Sequence, residues 1–256
     1  MTLPEKMTET ATVMAQQEVA PGVYRMELSS PAIAKVAQPG QFVQVRIFNG
    51  DHILRRPLGI AECDSARGCF TMFYRIVGSG TRDLSLLVHG EILNVLGPLG
   101  HGFATAFHHP LLIGGGMGLS PLLSYAQAKR GACDILMGGK NAEELFWQSF
   151  YAPYVQKTFL TTDDGSLGSR GFTTTIFPQV LKQDTYDGVL VCGPEIMMRG
   201  IAKLVAQAGI PCQVSLEKRM ACGLGACLSC SIDMTDGKRK KVCKDGPVFW
   251  AEEVFA

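Results

Sequence analysis

The chain has 256 residues, of which 46% are hydrophobic and 18% are charged, and its formal net charge at pH 7 is +1. These values are typical of a globular protein of about two domains, and they exclude the strong basic footprint of a nucleic-acid-binding protein. No apolar stretch approaches the length of a membrane span, and the first ten residues lack the apolar core of a signal peptide, so we expect a cytoplasmic protein.

The part of the chain from about Val13 to Phe103 is divided into short apolar segments by glycine and proline. We expect the residues before it to form a frayed tail that leads into a strand. Short strands with frequent turn signals predict an antiparallel β barrel or sandwich. The strand candidates are VYRMELSS, QFVQVRIF, LGIAEC, CFTMFYRIV and GEILNVLGPLG.

Two segments of this part together suit a diphosphate. Arg56 precedes a proline in RRPLGI and can make a charge-assisted contact to phosphate. In the later segment GSGTRD, we expect Thr81 to be a helix N-cap with Asp83 in the first turn, after glycines that permit close approach of a ligand. Each segment alone has a plainer interpretation, as a strand end and as an ordinary turn.

From Pro110 onwards, strand-like and helix-like segments alternate, which predicts βαβ units on an open parallel sheet. The strand LLIGG runs into a glycine turn, and Ser120 and Pro121 are expected to be the N-cap and a first-turn residue of the next helix. Further strand candidates are CDILMGG, VQKTFLTT, GVLVCGP and CQVSL, and the helix candidates are NAEELFWQSFYA, TTTIFPQVLK and EIMMRGIAKLVAQAG.

Two turns follow strands that end at the same edge of this predicted sheet. The first contains Gly114, Gly115, Gly116 and Gly118, and its place between a strand and a helix suits a dinucleotide, although the spacing is not G-x-G-x-x-G. The second turn begins at Cys192-Gly193, and a tight turn with a buried thiol explains it equally well. Residues 161–166 are either an adenosine contact or a surface turn, and we assign no role to the five histidines.

The most informative motif is C-x4-C-x2-C-x12-C, formed by Cys222, Cys227, Cys230 and Cys243. This is the plant-type spacing for a [2Fe–2S] cluster, and the small residues between the first ligands let the backbone wrap a compact anionic centre. A structural zinc site usually has paired C-x2-C knuckles, of which this chain has one. A disulfide set fits poorly, because the chain has nine cysteines and no secretory signal.

The remaining features of this region have plain interpretations. We expect Cys63, Cys69, Cys133 and Cys212 to be packing residues. The basic run at 238–241 follows Asp-Gly and predicts a solvated hairpin turn, with a docking patch for a partner as the alternative.

Together, these segments resemble the ferredoxin reductase-like flavoprotein family. RPLGI, YRIVGSGT and GPLGHGF look like its flavin domain, and GGGMGLSP and VCGPEIMM resemble its nicotinamide domain. EKRMACGLGAC with KVCKDGPVF is similar to the cluster lobe of dihydroorotate dehydrogenase B electron transfer subunits. The resemblance implies an antiparallel FAD-binding β barrel over residues 1–104, an open parallel-sheet, NAD-binding α/β domain over 105–213, and a small C-terminal [2Fe–2S] lobe over 214–256.

The resemblance also implies site residues. Cys192 would face the contact between nicotinamide and flavin, Met197 would line that site, and the glycine run with Gly193 would complete it. The family usually has a serine where this chain has Gly59, so a backbone or water contact would replace a hydroxyl contact to the flavin. The residues implied to contact FAD are Arg56, Pro57, Leu58, Gly59, Phe73, Tyr74, Arg75, Gly80 and Thr81.

The function implied is that of an oxidoreductase subunit without an acid–base residue of its own. Electrons would run from the FMN of a dihydroorotate dehydrogenase catalytic subunit through the cluster and FAD to diffusible NAD+, in de novo pyrimidine biosynthesis. The assembly would be a heterotetramer of two copies of each subunit, with no nucleic acid and no membrane. The alternatives are a small subunit of an NAD(P)H-linked sulfide, ferredoxin or hydrogenase oxidoreductase, and a zinc-binding interaction module.

Overall fold

The computed structural model describes residues 7–47 and 52–255. The first six residues of the expected tail and Phe48, the last residue of the segment QFVQVRIF, lie outside the described residues. The chain forms two compact units, and each takes part of the cysteine-containing region. The first comprises Met1–Gly102, Glu217–Ile232 and Lys240–Pro247, and the second Phe103–Leu216, Asp233–Arg239 and Val248–Ala256.

The first unit contains a curled antiparallel sheet of seven strands in the order β4-β3-β7-β1-β2-β6-β5. Its elements are β1 (Met7–Ala20), β2 (Val23–Ser29), α1 (Pro31–Val36), β3 (Phe42–Arg46), β4 (Arg56–Gly59), β5 (Glu62–Asp64), β6 (Cys69–Arg75), α2 (Ser79–Ser85) and β7 (Ile92–Leu99). The predicted antiparallel barrel is confirmed by this pairing.

Two strand predictions need correction. The segment LGIAEC is not one strand, because the N–H of Ile60 bonds to Gln41 while the N–H of Ala61 bonds to Thr71, so the chain leaves one sheet edge for the other. Strand β1 begins at Met7 rather than near Val13, since its polar first half pairs with β7.

The core of this unit follows from the two-residue period of its strands. Val43 and Val45 on β3, and Phe70, Met72 and Tyr74 on β6, share one buried cluster with residues of β1, β2 and β7. Each such side chain stabilises the fold by about 1.5–3 kcal/mol relative to its exposure to water. The alternate residues of the same strands point to the other face of the sheet.

The second unit contains a sheet in the order β11-β10-β9-β8-β12-β13-β16, parallel except for the antiparallel edge strand β16. Its elements are β8 (Pro110–Gly115), α3 (Leu119–Lys129), β9 (Asp134–Gly139), α4 (Gln148–Tyr151), β10 (Thr158–Thr162), β11 (Ser169–Arg170), α5 (Thr173–Val180), β12 (Gly188–Cys192), α6 (Glu195–Ala208), β13 (Cys212–Ser215), β16 (Val248–Trp250) and α8 (Ala251–Val254). Between β13 and β16, the chain forms a separate two-stranded sheet of β14 (Ser231–Asp233) and β15 (Arg239–Lys241), followed by helix α7 (Val242–Asp245).

Three helix predictions also need correction. Ser120 is not an N-cap, because a 3-10 turn at Gly116–Gly118 leads directly into α3 and places Ser120 inside the first turn. Thr81 is the third residue of α2 rather than its cap, and its Oγ1 accepts bonds from the N–H groups of Val77 and Gly78. The predicted helix over 141–152 is a 3-10 turn followed by the single turn α4.

No helix in the described part of the chain has both the length and the apolar character that crossing a membrane requires.

Candidate functional site

The four cysteines of the motif lie together in the first unit, as two pairs. The sulfurs of Cys222 and Cys227 are 3.3 Å apart. Cys230 and Cys243 form the second pair, in which the N–H of Cys243 points to the Cys230 sulfur at 3.5 Å. The second pair is buried and the first is half-buried. Two pairs of thiols match the two irons of a [2Fe–2S] cluster, each of which takes two protein ligands.

The loop between the first two ligands turns its N–H groups toward sulfur. The N–H groups of Leu224 and Cys227 both lie 3.4 Å from the Cys222 sulfur. This wrapping needs two left-handed residues, which are Gly223 with φ +69° and Gly225 with φ +82°. Because a side chain strains the backbone in that region, the glycines of ACGLGAC are the residues that the geometry requires.

The loop also changes the acidity of the thiols. Desolvation opposes ionisation of Cys222, but backbone N–H groups, led by that of Cys227, outweigh it and lower the thiol pKa to about 6. Burial, with a smaller contribution from the Cys230 thiol, raises the pKa of Cys243 to about 12. The lowered pKa favours the thiolate at Cys222, whereas metal binding at Cys243 must release a proton.

The cysteine sulfurs are too widely spaced for a single tetrahedral ion. Around one Zn²⁺ with bonds of about 2.3 Å, all four sulfurs would lie about 3.8 Å from one another. Among the described residues, the only three side chains whose ligand atoms all lie within 4.8 Å of one another are His109, Asp134 and Asp184. No three of the four sulfurs are that close, so the arrangement fits a two-iron centre better than one zinc ion.

The basic run at 238–241 contacts the cysteine loop through its last residue, Lys241. The predicted hairpin turn is confirmed, with Gly237 at φ +78° between β14 and β15. At its far end, the Lys241 ammonium donates a hydrogen bond of 2.6 Å to the carbonyl oxygen of Gly225. The side-chain stem of Lys244 lies against the other side of Gly225, where a Cβ would come within 2.7 Å of it.

We expect Lys241→Met to loosen the cysteine loop, because it removes a charged donor from Gly225. Hydrogen bonds to charged groups contribute about 1.5–3 kcal/mol, so metal should be lost several-fold faster to a chelator. The measurement is the rate of bleaching of the visible absorbance of the metal centre. Lys238→Met is the matched control, since the Lys238 side chain is 79% exposed and forms a surface ion pair with Asp236, and surface pairs contribute little. Equal bleaching rates in both variants would contradict this role of Lys241.

The structure brings together the two segments that the sequence singled out for a diphosphate. Gly80, in the first turn of α2, lies so close to Arg56 that a Cβ there would overlap the guanidinium. The same guanidinium donates to the carbonyl oxygen of Leu54 and, over 3.2 Å, to Nδ1 of His52. The Nε2 of His52 lies 2.6 Å from a carboxylate oxygen of Asp83, which requires the proton on Nε2 when the ring is neutral.

His52 is therefore a candidate site residue that sequence reasoning missed. His52 contacts both Arg56 and Asp83 of α2 and thereby orients the arginine. In the sequence, the one feature that could have indicated it is its position four residues before Arg56. The spacing between His52 and Asp83 follows no helical or strand period, so only the tertiary structure identifies the chain of contacts.

Pro57, Leu58 and Gly59 lie on β4, where Leu58 packs partly against the core. The implied flavin residues of β6 divide between the two faces of that strand. The side chain of Tyr74 lies in the core, stacked on Tyr24 at a centroid distance of 5.7 Å, and its hydroxyl donates to Oε1 of Gln16 at 2.6 Å. Its backbone pairs with Tyr24 in the ladder between β2 and β6. Phe73 and Arg75 lie on the opposite face, as the strand period requires.

The glycine turn and the Cys192 turn meet at the carboxyl edge of the second sheet. Strands β8 and β12 are parallel neighbours, with Cys192 opposite Gly114. A Cβ at Gly118 would overlap the carbonyl group of Cys192 and the Cα of Gly193. The φ of Gly118 is −62°, so steric contact rather than backbone conformation is what demands glycine there.

Met197 closes this cluster from the first turn of α6. A Cβ at Gly115 would lie 2.9 Å from its sulfur, and one at Gly193 would lie 2.6 Å from its methyl carbon. The 3-10 turn opens with Gly116 at φ +56°, where nothing lies within 4 Å of a Cβ position. The residues predicted from separate motifs thus form one edge of the sheet, where ligands of open α/β folds bind.

Residues 217–255 match the family model described as the iron-sulfur cluster binding domain of dihydroorotate dehydrogenase B. The chain is 36% identical over 261 residues to a protein of Fusobacterium nucleatum and 38% identical over 256 residues to one of Geobacillus kaustophilus. Each comparison covers 96% of this chain and 98% of the relative. Both relatives are named as the electron transfer subunit of dihydroorotate dehydrogenase B (NAD(+)).

Two solved structures are similar over most of the chain. A structure of the NADH-dependent reduced ferredoxin-NADP oxidoreductase superposes with a TM-score of 0.83 and 31% identity, covering 95% of this chain and 89% of that one. A ferredoxin NADP+ reductase from Neisseria gonorrhoeae with bound FAD and NADP superposes with a TM-score of 0.65 over 79% of this chain and 92% of that one. At 14% identity, the second likeness concerns the fold alone.

Proposed function

Because this chain belongs to the family of dihydroorotate dehydrogenase B electron transfer subunits, we propose that it links the FMN of a dihydroorotate dehydrogenase catalytic subunit to NAD+ through a [2Fe–2S] cluster and FAD. The reaction serves de novo pyrimidine biosynthesis. The observation that carries the proposal is the paired arrangement of the four cysteines within the matched residues 217–255.

When bound, the flavin exchanges a hydride with nicotinamide and single electrons with the cluster, so the chemistry belongs to the cofactors. The residues of the chain hold and insulate them. Cys222 and Cys227 would ligate one iron, and the buried Cys230 and Cys243 the other. The N–H groups of the loop stabilise the negative charge on sulfur, which sets the potential of the centre.

For FAD, we propose that Arg56 and the backbone around Gly80 hold the diphosphate. The support is the close contact between the guanidinium and that glycine, together with the link through His52 to Asp83. Strand β4, from Arg56 to Gly59, would lie along the flavin, with Phe73 and Arg75 on the outer face of β6 beside it. Tyr74 and Thr81 complete the proposed set.

For NAD, we propose the carboxyl edge of the second sheet. The glycines from Gly114 to Gly118 leave the backbone open to the phosphates, while Cys192, Gly193 and Met197 would meet the nicotinamide. The support is the mutual packing of these residues at the ends of adjacent parallel strands. The three-part division into residues 1–104, 105–213 and 214–256 is proposed as the matching assignment of cofactors.

The chain acts with a catalytic subunit that supplies the dihydroorotate site, and we propose a heterotetramer with two copies of each. Leu224 and Leu228 of the cysteine loop are 43% and 71% exposed, an apolar surface that suits a protein partner next to the cluster. We propose a cytoplasmic location, since none of the nine cysteines, which all lie within the described residues, forms a disulfide.

The test is anaerobic co-expression with the FMN-containing dihydroorotate dehydrogenase of the same genome. We expect co-purification, iron and acid-labile sulfide in equal amounts, stoichiometric FAD, and reduction of NAD+ by dihydroorotate. A colourless protein that contains zinc and no iron would instead support an interaction module.

The alternative within redox chemistry is a small subunit of an NADH- and ferredoxin-linked oxidoreductase, and the solved structure at 31% identity favours it. The partner discriminates between the two. Retention of a ferredoxin-linked subunit, with no activity on dihydroorotate, would establish the alternative.

A further inference from the structure

Gln44 is a buried glutamine of β3. Its side chain is 0% exposed, and neither Oε1 nor Nε2 makes a hydrogen bond to any of the described residues. Its neighbours Val43 and Val45 point into the core, so the alternation of β3 directs Gln44 to the opposite face. An unpaired buried polar group costs about 1–3 kcal/mol, whereas leucine or methionine would fill the same space without that cost. The carboxamide therefore needs a partner other than the described residues, and a bound cofactor can supply one.

The cysteine loop lies directly against this carboxamide. A Cβ at Gly223 would come within 2.8 Å of both Cγ and Nε2 of Gln44. Gly223 follows the cluster ligand Cys222 and has φ +69°, so the absence of a side chain is what lets the carboxamide reach the backbone of the loop. On β4, the residue opposite Gln44 is Pro57, which belongs to the proposed flavin strand.

We propose that Gln44 donates a hydrogen bond from Nε2 to sulfur of the [2Fe–2S] cluster at Cys222 and thereby raises its reduction potential. This inference rests on the proposed function, because it requires the cluster. The sulfurs carry the negative charge of the cluster, and that charge grows when one electron is added. A donor in a water-excluded position therefore stabilises the reduced state more than the oxidised state.

The other unpartnered buried groups do not offer this combination. Ser120 and Tyr125 have hydroxyls without a hydrogen-bond partner among the described residues, but both belong to α3 of the second unit, which holds none of the four cysteines. Arg25 of the first unit has an unsatisfied Nε, but its guanidinium already pairs with Glu62. Among the described residues, Gln44 is the one whose unpaired donor lies against the loop that carries a cluster ligand.

The test is a potentiometric titration of the co-expressed complex, with the reduced cluster followed by electron paramagnetic resonance. We expect Gln44→Leu to keep its iron and sulfide but to lower the cluster potential, by up to about tenfold in the one-electron equilibrium constant, which is about 59 mV. Gln44→Asn retains a donor on a shorter stem, so its shift should be smaller. The matched control is Gln213→Leu, a buried glutamine of the second unit whose Oε1 accepts a bond from Ala104 at 2.8 Å, and it should leave the potential unchanged.

A second measurement is made on the wild-type protein and therefore does not depend on a substitution that could disturb the fold. Labelling the side-chain amide of glutamine with ¹⁵N should give a nitrogen coupling in the pulsed resonance spectrum of the reduced wild-type cluster. The coupling should persist in Gln213→Leu and vanish in Gln44→Leu. A wild-type protein without iron would refute the proposed function. Three results with an intact cluster would each overturn the role of Gln44. They are the absence of a nitrogen coupling in the wild-type protein, an unchanged cluster potential in Gln44→Leu, and a shift in Gln44→Leu that affects only the potential of the flavin.

Discussion

Cys227→Ser is expected to abolish electron flow from dihydroorotate to NAD+ in the assembled complex while leaving NADH oxidation by the flavin intact. The Cys227 sulfur lies 3.3 Å from that of Cys222, and its own N–H also points to Cys222. Serine offers a shorter, far less acidic ligand, so the first iron loses a thiolate. Because loss of an outer-shell partner alone costs a metal site 10–100-fold, we expect turnover to fall by at least ~100-fold.

Two rates measured on the same preparation separate this effect from misfolding. Dihydroorotate-dependent NAD+ reduction should disappear together with the iron, whereas NADH-dependent reduction of ferricyanide needs only FAD and NAD and should persist. Cys63→Ser is the control, because the half-buried Cys63 thiol donates to the Ala34 carbonyl at 3.2 Å and serine can replace that contact. Unaltered dihydroorotate turnover in Cys227→Ser would refute the assignment of the cluster.

Gly118→Ala is expected to impair the use of NADH without loss of either FAD or iron. The new methyl group would overlap the carbonyl group of Cys192, the last residue of β12. The atoms it would meet are backbone atoms, which cannot rotate aside as a side chain can. Overpacking of this kind costs about 1–3 kcal/mol, so the turn must shift. We expect kcat/KM for NADH to fall roughly tenfold or more, measured by ferricyanide reduction.

The control for this variant is Gly131→Ala. Gly131 has φ +79° and nothing within 4 Å of its Cβ position, so the substitution costs backbone strain of about 1–2 kcal/mol without a collision. Both variants should lose some thermal stability, but only Gly118→Ala should change the NADH kinetics. A normal kcat/KM in Gly118→Ala would remove the glycine turn from the proposed nucleotide site.

Local contacts explain the predictions that succeeded. Three of the four cluster cysteines lie within the nine residues 222–230, where chain connectivity alone keeps them close, and the glycines between them match a backbone that must turn left-handed. The alternation of apolar residues likewise predicted most strands, because the period of a strand is a local property. Helix starts at Thr81 and Ser120 were misassigned, since glycine turns rather than hydroxyl caps begin those helices.

The class of cofactor can be predicted from the amino-acid sequence, since ligand spacing, glycine content and the change from strand-like to alternating segments are all encoded within short stretches. The contacts between distant residues follow from folding instead: Gln44 with the cysteine loop, His52 with Arg56 and Asp83, Lys241 with Gly225, and the C-terminal strand β16 with β13. These contacts depend on how strands pair across the sheets and on which polar groups become buried, and no period within one segment carries that information.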